Sequence, residues 1–253
     1  MRRNYLELLL FSTYAELRAE RSRSYLGLVW WVLEPAMMMA VFYIVFAVVL
    51  KTNAPDYVPF LLVGLTIWQW FKSCVSHGGH AIWTNLTLIR QVKLPTLLFP
   101  SVQIFADSIK FIYILILLML ILWLAGYPPN TAYIVLPLVL LVELIFAIGV
   151  SYLVAAIVPL IPDARFVIEQ VLQVVMFLSG VVFALDSVPE PWRAAFKLNP
   201  VAVLVDAARG ILMYGRWPDA SALLQVAAIS LFMCLLGAYA VIRLTPRYVK
   251  LAT

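Results

Sequence analysis

The stretch "YLGLVWWVLEPAMMMAVFYIVFAVVL", residues 25–50, contains an apolar run long enough to cross a bilayer as a helix. Within it lie a carboxylate, Glu34, and a helix breaker, Pro35. The rest of the chain is equally apolar: 64% of its 253 residues are hydrophobic and 12% are charged, with a mean hydropathy of +0.98. Because a soluble domain usually carries about 25% charged residues, we predict an integral membrane protein.

Six stretches are long enough to span the hydrocarbon core, which takes about 20 helical residues. They lie at about 29–50, 58–80, 97–125, 132–159, 167–185 and 221–242. Because six is an even number of spans, both termini lie on the same side of the membrane. Most of the 18 lysines and arginines fall on that side. Since cytoplasmic segments are enriched in these residues, both termini are expected in the cytoplasm.

Two further segments are predicted to be helical without spanning the membrane. Residues 4–22 form an amphipathic pattern next to several arginines, which favours a helix lying in the inner interface. Residues 186–220 are expected to form two half-helices, at about 189–197 and 200–214, that re-enter the outer leaflet. The alternative for this segment is a surface loop with two amphipathic turns.

The predicted fold class is therefore an all-α integral membrane protein with six transmembrane helices, an N-terminal interfacial helix and re-entrant outer half-helices before the last span. Residues 1–26 are expected to hold the interfacial helix and a loop, and residues 27–253 the six-helix transmembrane domain.

Ionisable residues inside predicted spans need a partner or water, because a charge at the bilayer centre costs about 2.5–3.5 kcal/mol. Asp107 and Lys110 are one helical turn apart, so they are expected to neutralise each other. Glu143 is more isolated. It is either protonated and packed, paired with Lys110, or exposed to a transport path, and the sequence leaves these three open.

Motifs of enzyme chemistry are missing from the sequence. No glycine is followed by lysine, so there is no phosphate-binding GxxxxGK[ST] loop, and GxGxxG, HExxH and CxxC are also absent. His77 and His80 are three residues apart, but two histidines without a carboxylate or thiol make a weak metal site. We predict a chain that is not an enzyme and that holds no metal or cofactor of its own.

Aromatic residues are frequent in the first two spans. Tryptophan near lipid headgroups is normally an interfacial anchor. Aromatic faces also stack against sugar rings while allowing them to slide, which favours a path for a glycan. The candidate path residues are Trp30, Trp31, Phe42, Phe46, Trp68, Trp70 and Phe71.

The motif "YLGLVWWVLEP", residues 25–35, resembles the LGxLWxxLxP signature of permease subunits of bacterial polysaccharide and polyol-phosphate ABC exporters. Leu26, Gly27, Trp30, Leu33 and Pro35 match the signature. The stretches at 59–71, 85–95 and 177–212 also resemble this family, so that the resemblance covers nearly the whole chain in order.

This resemblance implies a permease of the bacterial inner membrane that exports a lipid-linked capsular polysaccharide or O-antigen. It implies a homodimer with two separate ATPase subunits, which hold ATP and Mg²⁺, and periplasmic and outer-membrane export proteins as further partners. Nucleic acid is not expected as a partner.

The resemblance also implies roles for individual residues. The N-terminal helix and the connection containing Leu88, Arg90 and Lys93 would dock the ATPase. The loop at Leu26 and Gly27, followed by Glu34 and Pro35, would border the point where the glycan enters. Glycine allows a tight turn there, and proline kinks the span that follows. Arg18, Arg21 and Arg23 are candidates to attract an anionic headgroup, although the cytoplasmic enrichment of basic residues explains them equally well.

Three other functions are compatible with parts of the sequence. An ABC exporter of small hydrophobic molecules would share the fold. A proton-coupled secondary transporter would use Glu143 or Glu34 as its proton carrier and should show an inverted repeat, which the sequence lacks. A membrane-embedded enzyme would need a clustered catalytic set, and the sequence has none.

Overall fold

The computed structural model describes residues 3–23, 56–92, 94–184 and 188–251, together with six single positions between 29 and 45. Within these ranges all elements are helical. In chain order they are α1 (Arg3–Arg23), α2 (Tyr57–Thr84), α3 (Leu86–Gln91), α4 (Leu98–Leu124), a 3-10 helix (Thr131–Val135), α5 (Leu136–Ile157), α6 (Ala164–Leu178), α7 (Glu190–Lys197), α8 (Pro200–Tyr214) and α9 (Ala220–Leu251).

Four of the described helical segments are long and apolar enough to cross a membrane. They correspond to four of the predicted spans and cover Tyr57–Thr84, Leu98–Leu124, Thr131–Ile157 and Ala220–Tyr248. The predicted first span, 29–50, lies outside the described residues except for single positions. A multi-pass membrane protein is thus supported, while the number of six spans stays a prediction.

Helix α6 is shorter than the span predicted at 167–185. It has 15 residues and ends at Leu178, so it is about 22 Å long at about 1.5 Å per residue. That is less than the ~30 Å of a hydrocarbon core. The chain turns at Gly180, whose φ of 63° lies in the left-handed region that favours glycine.

The central bundle is formed by α2, α4, α5 and α9, in which α2 packs on α4 and α5, and α9 packs along α5. Helices α5 and α9 approach closely because each presents a glycine to the other. A Cβ on Gly149 would lie 2.6 Å from the backbone nitrogen of Cys234, and a Cβ on Gly237 would lie 2.7 Å from the Gly149 carbonyl oxygen. Small residues permit such close packing between helices in lipid.

The predicted half-helices are confirmed as helices α7 and α8. Asn199 separates them, and its side-chain oxygen accepts a hydrogen bond from the Val201 backbone N–H at 3.0 Å, which caps α8. Pro200 occupies the first turn of α8, where a missing N–H costs nothing. The surface-loop alternative is wrong for α8, because most of its side chains are buried against the bundle. Its re-entry into the outer leaflet stays a prediction.

The predicted N-terminal helix is confirmed as α1, which packs on α4. Thr13 is buried, whereas Leu6, Leu10 and Tyr14 are exposed. The exposed apolar side is compatible with a helix lying at the interface.

Candidate functional site

Three buried or half-buried charges and one histidine form a continuous chain between α1, α4 and α2. Lys110 Nζ lies 2.8 Å from Asp107 Oδ1, which confirms the predicted pairing of these residues. The same nitrogen donates to both carboxylate oxygens of Glu20, at 2.9 and 3.1 Å. Asp107 Oδ2 accepts from His77 Nδ1 at 2.8 Å. Asp107 is the most buried member, with 3% of its side chain exposed.

A small cavity of about 80 Å³ lies beside this chain, between α2 and α4. One face of α2 lines it with polar side chains, namely Thr66, Gln69, Ser73 and His77. These four polar side chains thus lie beside the charged groups in a cavity that is otherwise lined by apolar side chains.

The described aromatic residues of the predicted glycan path lie mainly in the core. Trp68 and Phe71 are 2% and 3% exposed, and the Phe71 ring stacks on Phe146 with 5.4 Å between the ring centroids. Trp70 stacks on Phe111 at 4.0 Å and borders the cavity. In this structure Trp68 and Phe71 therefore border no open path, because apolar neighbours enclose both rings.

The remaining predicted site residues are only partly described. Leu88 is 41% exposed on α3, and Arg18 is exposed on α1. Arg21, Arg23 and Arg90 belong to helices, but the structure does not describe their side chains. The predicted residues outside the described part of the chain are Leu26, Gly27, Trp30, Trp31, Glu34, Pro35, Phe42, Phe46 and Lys93.

Glu143 is 2% exposed, and neither of its carboxyl oxygens has a hydrogen-bond partner among the described residues. Lys110, one of its expected partners, instead contacts Asp107 and Glu20. The structure thus favours a packed carboxyl group over the ion pair.

The histidines predicted as a weak metal site are held by other groups. His77 binds Asp107, and His80 Nδ1 lies 2.7 Å from the Ser76 carbonyl oxygen. No group of three or more potential metal-binding side chains occurs among the described residues.

Arg209 on α8 has a structural role that was not predicted from the sequence. Its guanidinium donates to the carbonyl oxygens of Phe60, Gly180 and Val181 at 3.1, 2.7 and 2.6 Å. It also lies 3.4 Å from the centroid of the Phe60 ring, a cation–π contact. Arg209 therefore satisfies backbone carbonyls just beyond the end of α6, where a cation is also favoured by the helix dipole.

Helix α6 has few contacts with the rest of the chain, and Leu172 is its buried residue. Near its N-terminal end, Glu169 accepts a hydrogen bond from Ser76 of α2. At its C-terminal end, the Asn199 amide donates to the Leu178 carbonyl oxygen at 3.2 Å. The helix is thus fastened near both ends while most of its surface is exposed.

Two exposed stripes run along α6 at helical spacing. One is entirely apolar and consists of Val167, Val171, Val174 and Leu178. The other, called here the amide stripe, combines two phenylalanines with two glutamines and consists of Phe166, Gln170, Gln173 and Phe177. Because neighbouring stripes of one helix differ in polarity, they are suited to different surroundings.

Comparison with known proteins places this chain in a family. The ABC-2 type transporter family matches residues 8–213. The O-antigen export system permease protein RfbA of Myxococcus xanthus is 29% identical over 231 residues, which cover 90% of this chain and 89% of the relative. RfbA of Klebsiella pneumoniae is 24% identical over 210 residues, with coverages of 83% and 81%. The polysialic acid transport protein KpsM of Escherichia coli is 25% identical over 225 residues, with coverages of 88% and 87%. Since the family match covers most of the chain, the protein belongs to the ABC-2 type transporter family.

Proposed function

We propose that this chain is the membrane-spanning subunit of an ATP-driven exporter that moves a lipid-linked surface polysaccharide across the bacterial inner membrane. Capsular polysaccharide and O-antigen are the substrate classes, because the relatives are named for O-antigen export and polysialic acid transport. The motif at residues 25–35 and the four membrane-crossing helical segments support the same function.

The energy for export comes from a separate ATPase in this proposal. The sequence contains no glycine followed by lysine, and so no phosphate-binding GxxxxGK[ST] loop. Two ATPase subunits would hold ATP and Mg²⁺ and would contact α1 and the connection around Leu88, Arg90 and Lys93. Both termini are assigned to the cytoplasm.

The observation that carries the proposed glycan path is the amide stripe of α6. Gln170 and Gln173 are exposed on α6. We place this helix within the membrane because of its apolar composition, although it is shorter than a full span. A polar group without a partner in an apolar medium costs roughly 2–7 kcal/mol. We infer that the amide stripe faces the interface between two copies of the chain, while the apolar stripe faces lipid.

The chemistry of the amide stripe suits a hydrated glycan. Side-chain amides both donate to and accept from hydroxyl groups, and the exposed rings of Phe166 and Phe177 offer flat faces to sugar rings. Trp70 is retained as a candidate path residue because it borders a cavity. Trp30, Trp31, Phe42 and Phe46 remain candidates on the evidence of the sequence alone.

The proposed cycle begins at the cytoplasmic face. Arg18, Arg21 and Arg23 attract the anionic lipid headgroup, and the glycan passes the loop at Leu26 and Gly27. Closure of the ATPase subunits then moves the two permease copies as packed bodies, in the manner of rigid-body transport cycles. The polymer leaves along the amide stripes of the two copies.

Reconstitution tests this function. The chain, purified together with its ATPase subunit, is placed in proteoliposomes with a radiolabelled lipid-linked glycan from the same bacterium. We expect the label to cross the membrane only when Mg-ATP is supplied on the ATPase side. Transport that continues without nucleotide, or after removal of the ATPase, would contradict the proposal and favour a secondary transporter.

A further inference from the structure

Helix α1 is joined to the bundle by an ion pair. Glu20 lies near the C-terminal end of α1, and both of its carboxylate oxygens accept from Lys110 Nζ of α4, at 2.9 and 3.1 Å. The Lys110 side chain is 12% exposed and the Glu20 side chain is 41% exposed. The pair is therefore partly shielded from water, and its attraction is stronger than that of an exposed surface pair.

The ion pair continues into the bundle without a break. Lys110 also binds Asp107 one turn earlier on α4, and Asp107 binds His77 of α2, each at 2.8 Å. Three helices are thus connected by successive charged contacts. Pulling α1 away from α4 would separate Glu20 from the largely buried Lys110, which is unfavourable.

Free space lies on one side of these contacts. The cavity beside His77, Asp107 and Lys110 leaves space next to the charged groups, between α2 and α4. A displacement of α1 can thus be followed by movement of the charged side chains into this space, while the stacked rings of Trp70 and Phe111 keep α2 and α4 together. Elsewhere α2 is closely packed, so a shift that begins at this point moves the helix as a whole.

We propose that the Glu20–Lys110 pair is a positioning contact that transmits the movement of α1 to α4 and α2 during export. This inference rests on the proposed function, in which an ATPase acts on α1. It assigns to Glu20 a role in coupling that is separate from assembly with the ATPase. The Asp107–His77 contact passes the same movement from α4 to α2.

Substitution of Glu20 tests the inference in the reconstituted complex of permease and ATPase. Glu20→Gln removes the charge and keeps the shape, so the expected complex contains the normal amount of ATPase and hydrolyses ATP. The quantity measured is labelled glycan exported per ATP hydrolysed, and it should fall about fivefold. Lys110→Arg retains a cation at the same position and should keep the ratio near that of the unaltered protein.

The matched control is Glu16→Gln, one turn earlier on α1, which should leave the ratio unchanged. Glu20→Asp keeps the charge on a shorter side chain and should give an intermediate ratio, which also serves if Glu20→Gln fails to fold. The inference is overturned if Glu20→Gln keeps the normal ratio, or if it acts only by reducing the amount of bound ATPase. Failure of the unaltered complex to export glycan would instead contradict the proposed function.

Discussion

Arg209 binds three backbone carbonyls from two distant segments, Phe60 at the start of α2 and the Gly180–Val181 turn beyond α6. Its replacement in Arg209→Ala removes the donor of the Gly180 and Val181 carbonyls, and each unsatisfied buried polar group costs about 1–3 kcal/mol. We expect the free energy of unfolding to fall by about 3 kcal/mol or more, measured by denaturant titration in detergent micelles. The control Arg216→Ala removes an exposed arginine and should change the free energy by less than about 0.5 kcal/mol.

Gly64 provides the space that the Arg209 guanidinium occupies. A Cβ at position 64 would lie 2.1 Å from Arg209 Nη2 and 2.9 Å from the Val181 carbonyl oxygen. Gly64→Ala should therefore be destabilising on its own and should cost about 1 kcal/mol less in the Arg209→Ala background. The measurement is a double-mutant cycle of unfolding free energies, and strictly additive costs would show that the two residues do not share this space.

Glu143 allows a test of the three interpretations of a carboxyl group in a span. Because neither oxygen is hydrogen-bonded within the described structure, Glu143→Leu replaces an unsatisfied group by an apolar one of similar size. We expect the free energy of unfolding to rise by about 1–3 kcal/mol, with ATP-driven export unchanged. Loss of export in a correctly folded variant would mean that the carboxyl group takes part in transport.

The distance between partners in the sequence explains which side-chain contacts could be predicted. Asp107 and Lys110 are one turn apart on one helix, so their spacing alone predicted the pair. Lys110 and Glu20 are 90 residues apart, and Arg209 and Phe60 are 149 residues apart. Such contacts depend on how the helices pack, which a single sequence does not reveal.

At the scale of helices, the amide stripe of α6 is expected to matter for export more than for stability. The double variant Gln170→Leu with Gln173→Leu removes hydrogen-bonding groups worth about 0.5–1.5 kcal/mol each. Export of labelled glycan should therefore fall about tenfold, while membrane insertion and the amount of bound ATPase stay the same.

The matched control for this variant is Val171→Leu with Val174→Leu, on the apolar stripe of the same helix. Because that stripe is assigned to lipid, the control should export at the normal rate. Equal loss of export in both double variants would contradict the assignment of the two stripes to different surroundings.

Local chemistry explains which helix ends were predicted correctly. The boundary between α7 and α8 follows from Asn199 and Pro200, which cap and begin a helix by their own properties. The end of α6 was predicted too late, because the apolar composition continues past Gly180. The turn there is held by Arg209 of α8, a residue distant in sequence.

At the scale of the whole molecule, the exposed surface of α6 favours a larger assembly. Most of α6 is exposed, with two glutamines in its amide stripe. In the proposed function, the exporter also contains a second copy of the chain and an ATPase. The aromatic residues expected along the path were predicted from their residue type and their place in the first two spans, which cannot separate a ring in the core, such as Phe71, from one on an open wall.

The central claim is that the amide stripe of α6 borders the path of the glycan. It is tested most directly by placing a photo-cross-linking amino acid at position 173, on the amide stripe, or at position 174, on the apolar stripe. During ATP turnover with labelled lipid-linked glycan, position 173 should capture the polysaccharide, and position 174 should capture phospholipid. Capture of phospholipid at position 173, with no polysaccharide, would contradict the account.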